Sequence, residues 1–120
     1  MSAWPRPVVH FQIHAKDRKK LEEFYRQLFE WEMQAQEAMP ITVIGPGKGG
    51  PVEGVGGDII ETDRAPGVAI YVQVHRLAES LQKAEALGGK VLSQPFDVPG
   101  GPTIAQIEDP EGNFVGLIQQ

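Results

Sequence analysis

"VVHFQIH", residues 8–14, sets Val9, Phe11 and Ile13 in alternation with His10, Gln12 and His14. Successive side chains of a strand point to opposite faces, so this stretch predicts a strand with one apolar face and one polar face. The pattern returns in "GVAIYVQV", residues 67–74, where Ile70, Val72 and Val74 alternate with Ala69, Tyr71 and Gln73. Each strand opens a series of the same kind. After the first, Asp17 can cap a helix on which Leu21, Phe24, Tyr25 and Leu28 recur at i, i+3, i+4 and i+7, ending near Phe29. Extended pieces are expected at 31–36, 41–44 and 55–60. After the second, Leu77, Leu81, Ala84 and Leu87 mark a helix closed by Gly88 and Gly89. Strands follow at 90–98, 103–108 and 114–119, the last two joined by the turn "DPEGN".

The chain therefore runs through one βαβββ plan twice. The reading is a single domain over residues 1–120, with module 1 at 7–60 and module 2 at 67–119. One helix covers only one face of a four-stranded sheet. Two such half-sheets set side by side can curve into a cup. The expected fold class is α+β, two tandem βαβββ modules forming a cup-shaped mixed sheet with helices on the outer face.

In that arrangement the apolar sets pack beneath the helices, with Val115 and Leu117 in the last strand. The polar sets line the cup, with Phe114, Gly116 and Ile118 beside them. His, Gln, Tyr, Phe and Ile together suit a ligand pocket, whereas Lys, Glu and Thr dominate a solvated sheet face. The expected pocket is His10, Gln12, His14, Trp31, Tyr71, Gln73, Phe114 and Ile118, and a simply wet face is the alternative.

Composition excludes several classes. The net charge is −5, and the one basic cluster, "KDRKK" at 16–20, runs into Glu22 and Glu23, as on a solvated helix face. Nucleic acid is not an expected partner. No apolar run approaches the roughly 20 residues of a membrane span, and "MSAWPRP" has no signal-type stretch, so a cytoplasmic protein is expected. Zero cysteines remove disulfides and thiolate chemistry. "GPGKGG" at 45–50 spells G-x-G-x-x-G, but Pro51 and more glycines follow in place of a helix, so it reads as a hairpin or lid. His10 and His14 lie four residues apart on a strand, roughly 13 Å, too far to share an ion.

With the duplication in place, "VVHFQIHAKDRKKLEEFYRQLFEWE", "IYVQVHRLAESLQKAEALGGKVL" and "IAQIEDPEGNFVGLIQQ" resemble the vicinal oxygen chelate superfamily. This superfamily includes glyoxalase I, bleomycin-resistance proteins and extradiol dioxygenases. The likeness covers nearly the whole chain and is nearest to the small glyoxalase-related single-domain proteins. The resemblance implies paired βαβββ modules, a cup-shaped site and commonly a homodimer. It also implies, in the metal enzymes, a divalent ion held by four His or Glu side chains, one from each of four strands. His10 occupies the first-strand place, but the matching second-half place is Ala69 and the final-strand carboxylate falls at Gly116. The remaining ligand falls in the Gly-rich region, where Glu53 and Asp58 are the nearest acids.

The leading reading is a metal-independent small-molecule binder, with no cofactor expected and no membrane partner. His10 is its candidate acid/base or hydrogen-bonding group, a packed histidine being the alternative. A divalent metal on His10, Glu53 and Asp58 is the lesser reading. It belongs to the alternative of a lyase, isomerase or dioxygenase with non-standard ligands, drawing also on His14 or His75. A third reading is a non-catalytic interaction module. Arg76, a cation at a helix start, is expected to reach an acidic group or a ligand.

Overall fold

Asp17 starts the first helix as its position suggests. Its carboxylate accepts a hydrogen bond from the Lys20 N–H at 3.1 Å, which satisfies one of the donors that a helix start leaves unpaired. The helix, α1 (Arg18–Phe29), ends on Glu30 in the left-handed region. Around it the computed structural model, which describes residues 4–119, places β1 (Val8–Ala15), β2 (Met33–Ala35), β3 (Ile41–Ile44) and β4 (Gly57–Glu61). The second series is β5 (Gly67–Val74), α2 (Leu77–Ala86), β6 (Lys90–Asp97), β7 (Thr103–Glu108) and β8 (Phe114–Gln119). The α+β plan with a βαβββ order used twice is what the alternation and helix periods predict.

The chain forms two compact units. One is His10–Val68; the other is Ala69 onward together with the residues up to Val9. In the first, the strands lie in the order β2-β3-β4-β1, with β1 and β4 parallel and the other pairs antiparallel. Its core is Ile13, Ala15, Ile44 and Ile59, joined by Phe11, Leu21, Tyr25, Trp31 and Met33. In the second unit the order is β5-β8-β7-β6, with β5 and β8 parallel. Its core is Val74, Leu77, Leu81, Ala105 and Leu117, flanked by Val72, Val91, Ile107 and Val115.

Two expectations of packing are corrected. The stripe Leu21, Phe24, Tyr25, Leu28 divides: Leu21 and Tyr25 pack on the core, while Phe24 and Leu28 are each 56% exposed. The helix turns a polar flank inward instead. Thr42, fully buried in β3, donates to Glu22 at 3.0 Å, and Glu22 lies 3.9 Å from Arg18. Rotating α1 to bury Phe24 would pull Glu22 off that hydroxyl. Ile70 is also 43% exposed, whereas Val72 and Val74 pack as expected.

Both glycines that the sheets need are set by a ring. A Cβ at Gly57 would stand 2.6 Å from the Phe11 ring and from the Phe11 carbonyl oxygen, and one at Gly116 would collide with the Tyr71 ring. The "DPEGN" turn is held by Asp109, whose carboxylate accepts from the N–H groups of Glu111 and Asn113, with Gly112 at φ 92°. Those bonds hold the Asp109 carboxyl below its usual range, the Asn113 side chain contributing most.

Candidate functional site

The alternation of β1 carries His10, Gln12 and His14 onto the face opposite Phe11 and Ile13. The β1–β4 register places Asp58 directly beside Gln12. A hydrogen-bonded ladder results. His14 Nε2 donates to Gln12 Oε1 at 3.0 Å, and the Gln12 amide turns its Nε2 toward Asp58 Oδ2 at 3.5 Å. His10 Nε2 meets the same Oδ2 at 2.6 Å. His10 and Gln12 thus share one carboxylate oxygen, and His14 reaches it only through the Gln12 amide.

Burial grades along this ladder. Gln12, His14 and Asp58 are buried, whereas the His10 side chain keeps 30% of its surface exposed. Burial lowers the His14 pKa from its ordinary value, the nearby Arg64 guanidinium lowers it further, and Asp58 opposes both. His14 is thus a neutral donor. At the other end the Asp58 carboxylate accepts from His10 Nε2, which fixes the orientation of the ring. Asp58 Oδ1 is buried without a hydrogen-bond partner among the described residues.

Of the residues singled out from sequence, His10, Gln12 and His14 are brought together, and Asp58 joins them as their hub. Glu53 lies exposed in the loop between β3 and β4. Trp31 packs on the helix-covered side, 5.1 Å from Tyr25 and 5.6 Å from Phe11 by ring centroids. Tyr71, Gln73, Phe114 and Ile118 belong to the second unit. There Tyr71 is buried over Gly116, and Gln73 pairs with Ile118 across β5 and β8. Phe114 is half-buried at the start of β8, opposite Glu108. His75 stacks edge-on to Trp4 at 4.5 Å, and Arg76 reaches Glu79 at 3.9 Å.

From the sequence Asp58 stood out only as a possible metal ligand with His10 and Glu53, not as a hydrogen-bond partner of His10 and Gln12, and Arg64 did not stand out. The offset of Asp58 in "GDII", matching that of Gly116 in "VGLI", was the available signal. Superposing the registers of the two units pairs His10 with Ala69, Gln12 with Tyr71, His14 with Gln73 and Asp58 with Gly116.

That equivalence tests the metal site which the resemblance implies. The first unit supplies a His and an Asp; the equivalent places in the second supply a methyl and a hydrogen. Among the described residues, no three His, Asp or Glu side chains gather where one ion could bind them. Zinc-type sites take three or four protein ligands. The residues present do not fit the four-ligand ion.

The paired βαβββ units and their polar first strand define the glyoxalase-like class of α+β proteins. The sequence profile of the glyoxalase-like domain matches residues 9–118, so the chain belongs to that family, within the vicinal oxygen chelate superfamily. Solved structures share the fold at low identity. A Streptomyces coelicolor methylmalonyl-CoA epimerase in complex with 2-nitronate-propionyl-CoA is 16% identical at TM-score 0.67, over 95% of this chain and 94% of that one. A glyoxalase/bleomycin resistance protein/dioxygenase superfamily member from Vibrio splendidus 12B01 is 13% identical at TM-score 0.65, over 97% and 100%. The hypothetical protein BH1468 from Bacillus halodurans C-125 is 14% identical at TM-score 0.66, over 96% and 94%. A search of curated proteins gave no match. Among the described residues no helix is long and apolar enough to cross a membrane.

Proposed function

We propose that this protein binds a small organic molecule through the His10–Asp58 pair and does so without a resident divalent ion. The observation that carries the reading is the 2.6 Å bond between His10 Nε2 and Asp58 Oδ2. A partly exposed imidazole, held from behind by a buried carboxylate, is oriented to hydrogen-bond a ligand or to exchange a proton with it. A cytoplasmic location and assembly as a homodimer belong to the same reading.

Two measurements test it. Elemental analysis of protein purified without chelator is expected to find no stoichiometric zinc, nickel, manganese or iron. One equivalent that disappears in His10→Ala would overturn the metal-free reading. A thermal-shift screen against metabolites is expected to find ligands whose stabilisation is lost in His10→Ala, about 2.7 kcal/mol at a hundred times Kd. A screen without such ligands would favour the interaction-module reading.

The same pair favours a second reading, proton transfer at a carbon beside a carbonyl. The pair holds a partly exposed imidazole against a buried carboxylate, and a fold neighbour is an epimerase bound to an acyl-CoA analogue. Exchange of such a proton into deuterated water, abolished in His10→Ala, would convert the binder into an enzyme.

A further inference from the structure

Away from the His10 ladder, the first unit holds an open concavity of about 550 Å³ between the turn after α1 and the glycine-rich loop that follows β3. Its lining includes Phe29, Glu30, Trp31, Glu32 and Lys48. This volume suits a small organic ligand. The lining is built rather than casual. Trp31 is stacked on Tyr25 at an interplanar angle of 16° and is braced by Phe29 at 5.2 Å, so its indole is fixed from the core side. Glu30, at φ 59°, holds the left-handed position that ends α1, where glycine or asparagine is the usual occupant. The Gly45 N–H binds the Glu32 carbonyl at 3.0 Å and ties the loop to this turn.

The chemistry of the lining has a sign. Aromatic faces carry negative potential and attract cations. Glu30 and Glu32 flank Trp31 in sequence, and neither carboxylate is in an ion pair among the described residues. One ammonium, Lys48 on the glycine-rich loop, stands against two carboxylates. We infer that this concavity is a second binding site, separate from the His10 pair, that takes an organic cation with an aromatic or apolar body. The ring lies against Phe29 and Trp31, and the cationic head lies toward Glu30 and Glu32. Lys48 is the head's internal competitor.

The probe is benzyltrimethylammonium, with benzenesulfonate as its anionic counterpart. Binding is read from the emission of Trp31, made the sole tryptophan by Trp4→Phe. Saturable binding of the cation and none of the anion is expected. The exposed double variant Glu30→Gln/Glu32→Gln should weaken binding about fivefold. Lys48→Met should tighten it about twofold, and His10→Ala should leave it unchanged. Preference for benzenesulfonate, binding of neither probe, indifference to the glutamine pair or loss in His10→Ala would each overturn the assignment.

Discussion

The two units of this protein follow one plan and put different chemistry on it. Residue for residue by register, Ile13 and Ile59 of the first unit correspond to Val72 and Leu117 of the second, and all four pack beneath a helix. On the other face the correspondence breaks. His10, Gln12, His14 and Asp58 form a hydrogen-bonded ladder, where the second unit has Ala69, Tyr71, Gln73 and Gly116. The apolar face has to repeat because each helix needs a floor of similar shape. The polar face is under no such demand, so one copy keeps donors and a carboxylate while the other fills the space with a tyrosine ring.

The comparison fails first if the shared cores are not equivalent. Ile59→Ala and Leu77→Ala each remove a fully buried side chain, and each should cost about 3 kcal/mol by urea denaturation. A much smaller loss at either would show that its unit contributes little to the cooperative core.

The next test concerns the divergent face. Gly116→Ala places a methyl against the Tyr71 ring and should cost about 2 kcal/mol. Combining it with Tyr71→Ala should give clear non-additivity in a double-mutant cycle. Strict additivity would mean that the ring is not what excludes a side chain there.

A smaller effect separates His14 from its counterpart Gln73. The native His14 pKa lies below that of the unfolded chain, near 6.5, chiefly because of burial. As pH falls through about 6.5, the unfolded state takes up a proton that the native state refuses, and stability drops; above that pH the group has no effect. His14→Gln should flatten this acid limb between about pH 7.5 and 5.5, measured as the urea midpoint. An unchanged slope would assign the limb to other groups.

The smallest expected effects distinguish the helix starts. Asp17→Ala should cost about 1 kcal/mol, since α1 is capped from within its own turn. The start of α2 has no side-chain cap of its own. Gln119, at the far end of the chain, accepts from the Leu77 N–H at 3.2 Å, and Gln119→Ala should cost about 0.5 kcal/mol.

Legibility in the sequence follows the range of the interaction. The strands at 41–44, 67–74, 103–108 and 114–119 and the cap at Asp17 are readable because alternation and capping act over a few residues. The inward flank of α1 was not readable. Hydrophobic periodicity favours burial of Phe24 and Leu28, and only the hydroxyl of Thr42, from another strand, explains why Glu22 takes the inner place.

The sequence by itself determined that an apolar-polar strand, a helix and three strands occur twice, and that the first copy's polar face carries two histidines and a glutamine. Only the tertiary structure decided what those groups do. Asp58 is 48 positions from His10, and which residue of β4 stands beside Gln12 depends on strand register. Alternation fixes the face of a strand but permits shifts by even steps, so the register is set by packing, here by the Phe11 ring crossing Gly57.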